Sequence, residues 1–299
     1  MSESRLEEES PPWTKVTVRV TCPAEEGLAN LLSELGASGL IIQEDPSSCR
    51  RLTAFFPPLS DLPPKVETIT CYLDSLKDLG IDPGPAQVEV LPWKETGESE
   101  RWKHFFKPLL LGRRLVIKPT WENYPSDPSE VIIEIDPGGA FGTGRHPTTA
   151  ACLRFLERWV RGGETVLDLG TGSGILAIAA LKLGAQSVKA LEIDREAACV
   201  ALQNCQLNRV RERVEIVGGS LSSLCAETFD IVVANLTFQE ILPLLSELAS
   251  HLTPYKGIAF LAGMLRRELS SLEAALGISG LHLVEWEFQG EWIGVGVRA

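Results

Sequence analysis

The stretch that most constrains this chain is Val166-Leu-Asp-Leu-Gly-Thr-Gly-Ser-Gly-Ile175. A short apolar strand runs into three glycines at alternate positions, Gly170, Gly172 and Gly174, and an Ala-rich apolar run continues to Leu183. That run is apolar on every side, as a buried helix is. Strand, glycine turn and helix make the βα corner at which α/β sheets bind nucleotides. Glycine serves there because a backbone without Cβ turns sharply and lets a ligand come close.

Spacing narrows the kind of nucleotide. A dinucleotide turn carries its third glycine three residues after the second, and Ile175 occupies that position. No Gly-Lys-Ser/Thr follows, so a phosphate loop is excluded. Two acids stand out instead. Asp168 lies two residues before Gly170, and Glu192 lies twenty-two after it, ending the next apolar strand. A carboxylate at that strand end accepts two ribose hydroxyls in charge-assisted hydrogen bonds, each worth roughly 1.5–3 kcal/mol. A nucleoside with a positive sulfonium and no phosphates suits so acidic a pocket. Asp-x-Gly-x-Gly-x-Gly with a strand-ending acid resembles motifs I and II of the S-adenosylmethionine-dependent methyltransferases. The expected cofactor is therefore S-adenosyl-L-methionine, with Asp168, Gly170, Gly172, Gly174 and Glu192 among its contacts.

Bulk properties set the limits. A chain of 299 residues holds one large domain or two modest ones. No apolar run is long enough to span a membrane, and the acidic first nine residues have no apolar core, so they are not a secretory signal. The seven cysteines include no Cys-x-x-Cys pair and read as reduced residues of a cytoplasmic protein. The four histidines are scattered, which suggests no metal site. A formal charge of −12 disfavours nucleic acid as a direct partner, since phosphate binding needs clustered Lys and Arg. The expectation is a monomer.

In chain order, residues 1–12 read as a disordered tail. Residues 13–92 follow the pattern β-α-β-β-α-β, a ferredoxin-like α+β plan. Its helices carry Leu28, Leu31, Leu32 and Leu35, and then Ile69, Leu73 and Leu76, at helical spacing. This small domain shows no catalytic cluster and reads as a substrate-recognition domain or a purely structural extension. Residues 93–128 read as a linker with a short helix over 95–106 and a strand over 114–118. Residues 129–299 alternate strands and helices and close with a hairpin around Gln289-Gly290, the pattern of a doubly wound, mostly parallel Rossmann-like sheet.

Just before the glycine turn runs Asp136-Pro-Gly-Gly-Ala-Phe-Gly-Thr-Gly-Arg-His-Pro-Thr-Thr149. Its glycines make a loop that can fold over a ligand as a lid. Phe141 is a candidate to cover the adenine or the sulfonium. Thr149, near a helix start, is a candidate for the methionyl carboxylate. His146 is a further candidate contact, and local helix capping is the simpler role for both His146 and Thr149. Asn235 ends the strand after the nucleoside-binding pair and is the candidate catalytic residue as well as a cofactor contact. Methyl transfer is an in-line displacement, so the protein mainly positions its reactants. The Asn235 side-chain oxygen can hold an amine acceptor by its N–H groups.

Trp93…Trp102-Lys-His-Phe-Phe-Lys-Pro108, the Asp136–Thr149 stretch, the glycine turn and Ala234-Asn-Leu236 together resemble the PrmA family of bacterial methyltransferases. The resemblance covers nearly the whole chain after the first dozen residues. It implies methylation of the eleventh protein of the large ribosomal subunit at lysine side chains and the N-terminal α-amine. It also implies an N-terminal domain that grips that protein, and it sets Thr149, Gly170, Glu192 and Asn235 on the family's cofactor positions. This chain has Glu192 where the family usually has Asp, and Ala262-Gly263 where Ser-Gly is common. Two other readings stay open: a methyltransferase of another protein or a small molecule, and a non-catalytic binding module.

Overall fold

The computed structural model describes residues 13–37, 39–45, 49–56, 61–78, 80–93, 107–136, 144 and 146–299. The tail 1–12, the short helix expected over 95–106 and most of the glycine-rich loop, Phe141 included, lie outside the described residues. The chain divides into two compact units, Met1–Phe105 and Phe106–Ala299.

The first unit contains β1 (Trp13–Val20), α1 (Cys22–Glu34), β2 (Gly39–Glu44), β3 (Arg50–Phe56), α2 (Leu62–Asp78) and β4 (Gln87–Trp93). Its sheet order is β2-β3-β1-β4, antiparallel throughout, as the ferredoxin-like plan requires. Alternation does the sorting. Val16, Val18 and Val20 of β1 and Leu52, Ala54 and Phe56 of β3 share one face and bury against Leu28, Leu32, Ile69 and Leu73 of the helices. Helix α2 begins at Leu62, ahead of the apolar pattern, and takes Pro63 and Pro64 into its first turn. Proline is tolerated there because first-turn N–H groups have no helical acceptor.

The second unit begins before the expected boundary. Residues 109–119, expected as part of a linker, form β5 (Leu109–Leu111) and β6 (Leu115–Pro119), and β6 pairs in parallel with β7 (Val131–Ile135). Leu111, Leu115, Ile117, Ile133 and Ile135 of this small sheet are buried in the same core as helices α3 (Pro147–Trp159) and α4 (Ile175–Leu183). The linker expectation is corrected accordingly: residues from 107 onward belong to this unit.

The large sheet has the order β10-β9-β8-β11-β12-β14-β13. Its strands are β8 (Thr165–Leu169), β9 (Ser187–Glu192), β10 (Val214–Gly218), β11 (Ile231–Asn235), β12 (Ile258–Leu265), β13 (His282–Gln289) and β14 (Trp292–Arg298). The first five in sequence are parallel, and β14 inserts antiparallel between β12 and β13. Both faces of the central strands β8, β11 and β12 are covered, so these are almost continuously apolar, whereas edge strand β13 is half exposed. Along β11, Ile231 and Val233 bury on the α3–α4 side, while Val232 and Ala234 bury against α7 (Leu245–Ser250) and α8 (Leu269–Ile278). Residues 238–250 do not form one continuous helix. They split into α6 (Phe238–Ile241), a 3-10 turn at Leu242–Leu244 and α7. Pro243 lacks the N–H a continuous helix needs and crowds the carbonyl four residues back. Strand order reverses at β8, with β9 on one side and β11 on the other, and ligands of such sheets sit outside the carboxyl ends at that reversal. No helix among the described residues is long and apolar enough to cross a membrane.

Candidate active site

The glycine turn leaves β8 at the reversal. Gly170, Gly172 and Gly174 have φ of 73°, 54° and 81°. The turn is tied to β9 because the N–H groups of Gly170 and Thr171 both donate to the Leu191 carbonyl at 3.0 Å. At Gly170 the left-handed φ favours glycine, and a Cβ there would lie 2.8 Å from Leu236 Cδ2, so that side-chain tip would have to shift.

Asp168 sits beneath this turn, fully buried. Its Oδ2 accepts from the Thr171 hydroxyl at 2.6 Å and from Ala177 N–H at 3.0 Å. One carboxylate oxygen thus joins the turn to the first residues of α4. Among the described residues nothing bonds to Oδ1. Burial pushes the Asp168 carboxyl up to about 7, against the lowering effect of its two hydrogen bonds, and nearby Glu192 adds to the rise. Asp168 therefore braces the turn from inside.

Glu192 ends β9 beside the turn and is nearly buried. Its Oε2 accepts from Gly172 N–H at 2.8 Å, and its Oε1 accepts from Ile193 and Asp194 N–H groups at 2.9 and 3.0 Å. The carboxylate is thus anchored to the rim of the glycine turn, with lone-pair capacity left over for a hydroxyl donor.

Across the reversal stands Asn235. Ala234 pairs with Leu169, so Asn235 and Gly170 leave neighbouring strand ends side by side. The Asn235 amide Nδ2 donates to the Thr149 hydroxyl at 3.0 Å. Thr149 is 1% exposed, in the first turn of α3. The structure thus brings together Thr149, Gly170 and Asn235, residues far apart in sequence. Leu236 follows with its N–H on the Ala262 carbonyl at 2.9 Å and its side chain over Gly170.

His146 has a defined place as N-cap of α3. Its Nδ1 lies 2.7 Å from the Thr148 hydroxyl and accepts from Thr148 N–H at 3.4 Å, and its ring meets Trp292 edge-on with centroids 4.7 Å apart. Burial pushes its imidazole down to about 4, so it is neutral at pH 7. The capping role of His146 is the one this geometry displays.

Two residues escaped the reading of the sequence. Asn204 and Asn208 lie on α5 (Arg195–Leu207) and at its C-cap, and both are buried. Asn204 Nδ2 donates to the Ser173 carbonyl at 2.9 Å, and its Oδ1 accepts from Asp136 N–H at 3.1 Å. Asn208 Oδ1 accepts from Glu134 N–H at 2.9 Å. Together they fasten the end of β7 to the helix, and Asn204 joins it to the glycine turn. The available signal was two asparagines four residues apart near the end of one helix, where neither is favoured by propensity.

A seven-stranded sheet of this order, with a three-glycine turn after β8 and an acid closing β9, defines a class I methyltransferase. The residues fit S-adenosylmethionine, the cofactor of that class: glycines at alternate positions of the turn, an acid closing β9 beside it, and a buried carboxylate oxygen without a partner among the described residues. The sequence model of the ribosomal protein L11 methyltransferase (PrmA) family matches residues 12–299, and the chain belongs to that family. Two relatives named ribosomal protein L11 methyltransferase illustrate the match. That of Alkaliphilus oremlandii is 35% identical over 95% of this chain and 97% of its own length. That of Brevibacillus brevis is 36% identical over 95% and 98%. A crystal structure of a ribosomal protein L11 methylase from Lactobacillus delbrueckii subsp. bulgaricus is 37% identical, with a TM-score of 0.60 over 64% of this chain and 98% of that one.

Proposed function

We propose that this protein transfers methyl groups from S-adenosylmethionine to amines of ribosomal protein L11, namely lysine side chains and the N-terminal α-amine. The observation that carries the reading is the Asn235 amide, held at the carboxyl end of β11 beside the glycine turn, with its nitrogen committed to Thr149. When bound, S-adenosylmethionine supplies a methyl group made electrophilic by the positive sulfur. Glu192 takes the ribose hydroxyls, the bare backbone of Gly170–Gly174 admits the nucleoside, and the Thr149 hydroxyl donates to the methionyl carboxylate.

A lysine acceptor must first lose a proton, which at pH 7 costs about 4.6 kcal/mol from its reference pKa. Desolvation in the corner formed by Leu236 and the turn lowers that cost. The Asn235 Oδ1 then accepts an amine N–H and aims the nitrogen lone pair. The first unit, with its own core, serves to recognise L11, and the second carries the chemistry.

Mass spectrometry of L11 incubated with enzyme and donor tests this reading. Whole methyl increments on lysine and N-terminal peptides are expected, with L11 crosslinks mapping to residues 13–93. Unmodified L11 beside an enzyme that binds the donor would move the acceptor to another molecule.

A further inference from the structure

We infer that Thr149 is a positioning residue for the acceptor: it fixes which end of the Asn235 amide faces the amine. The inference rests on the role given to Asn235 above and adds a second residue to it.

An asparagine amide has two orientations that exchange its nitrogen and oxygen. They are not equivalent to an amine about to be methylated. Such an amine offers N–H donors and must keep its lone pair for the methyl carbon. The amide oxygen serves it, whereas the amide N–H₂ would compete for the lone pair. In this protein the choice is made from behind. Nδ2 donates to Thr149 Oγ1 at 3.0 Å, and the hydroxyl is locked in a 1% exposed side chain on the first turn of α3. Among the described residues Asn235 makes no other side-chain hydrogen bond, so this contact alone orients it. The backbone on either side is held independently. Ala234 pairs with Leu169 and Leu261, and Leu236 N–H bonds to Ala262. The amide plane is thus the one freedom left at this strand end.

A hydroxyl has one proton. Donated to the methionyl carboxylate, it leaves Oγ1 able only to accept, which forces the Asn235 nitrogen toward Thr149 and the oxygen toward the acceptor. One hydroxyl then serves donor binding and acceptor orientation together.

The experiment compares Thr149→Val, Thr149→Ser, Asn235→Ala and the Thr149→Val/Asn235→Ala double variant at saturating donor, with L11 as acceptor. Calorimetry of L11 binding is added, with and without S-adenosylhomocysteine. Thr149→Val should lower kcat about tenfold, the size of one lost net hydrogen bond. Thr149→Ser should restore kcat, and Thr149→Val should add no further loss in the Asn235→Ala background. In the wild type S-adenosylhomocysteine should tighten L11 binding, and Thr149→Val should abolish that coupling. An unchanged kcat in Thr149→Val, or an equal loss in both backgrounds, overturns the inference. Wild-type kcat in Asn235→Ala overturns instead the role of Asn235 on which it rests. Thr149→Ala replaces Thr149→Val in the same cycle if the valine variant does not fold.

Discussion

The donor and acceptor halves of the site are built differently. On the donor side the carboxylate contacts stay within one strand–turn–helix–strand segment: Asp168 to Thr171 and Ala177, and Glu192 to Gly172, Ile193 and Asp194. The acceptor side is assembled from distant segments. Asn235 meets Thr149 across 86 residues, and Leu236 lies between Gly170 of the turn and Gly263 of β12. A site made of local contacts forms with its own βα corner. A site made of distant contacts exists only once the sheet has its order, and here it meets the donor side through one hydroxyl, that of Thr149.

The largest expected effect tests how separable the two sides are. Asn235→Ala removes the amide oxygen assigned to the acceptor amine, and turnover should fall by about a hundredfold or more, as when a positioned transition-state partner is lost. Donor affinity measured by calorimetry should stay close to wild type, because Glu192 and the glycine turn are untouched. A parallel loss of donor affinity would show that the two sides are one unit and would erase the comparison.

The same contrast explains what could be read from the sequence. The glycine spacing, Asp168 and Glu192 lie within one strand–turn–helix–strand segment, so their pattern carries its own structural context. The ferredoxin-like order was equally legible, since alternation in β1 and β3 and the Ile69–Leu73–Leu76 stripe are local signals. Asn235 was found as a strand-end residue, but its bond to Thr149 was not, because no local pattern records a contact between a helix start and a strand on the far side of the glycine turn. The strands of 109–119 were assigned to a linker for a related reason. They are short, and only pairing with β7 and burial against α4 give them a place. Asn204 and Asn208 looked like ordinary helix residues, because their partners at Glu134, Asp136 and Ser173 come from tertiary folding.

Gly263 offers a smaller and sharper probe. It forms a bulge in β12 between Ala262 and Met264, with φ of 99°, and a Cβ there would lie 2.2 Å from the Leu236 carbonyl oxygen. Backbone cannot yield as a side-chain tip can. Gly263→Ala should cost roughly 2–3 kcal/mol in unfolding free energy, from left-handed strain and overlap together. It should also displace the Asn235-Leu236 peptide, lowering kcat while donor affinity holds. Denaturant melts and kinetics on one preparation read both. A variant that loses stability with unchanged kcat would make Gly263 a folding residue only, and acceptor geometry would then not depend on the bulge.

The smallest effect separates the two sides by pH. Asp168, on the donor side, keeps its proton in the folded state up to about 7, against a reference of 3.8. Between those values the folded state binds more protons than the unfolded one, so this residue's contribution to stability declines as pH rises through the window and is fully lost above it. His146, capping the helix that carries Thr149, runs the other way. Its folded value is about 4 against 6.5, so the unfolded state binds the extra proton, and stability is lost as pH falls from 6.5 toward 4. In the wild type the two slopes oppose each other over that shared range, and thermal stability should change little. Asp168→Asn leaves the histidine slope, so stability should rise from pH 4 to 6.5 by roughly 2–3 kcal/mol, while His146→Asn leaves the aspartate slope and should reverse the sign. Unfolding free energies across pH 4–8 for the three proteins decide it. Parallel profiles in all three would mean that neither group carries its shifted proton affinity into the stability of its side of the site.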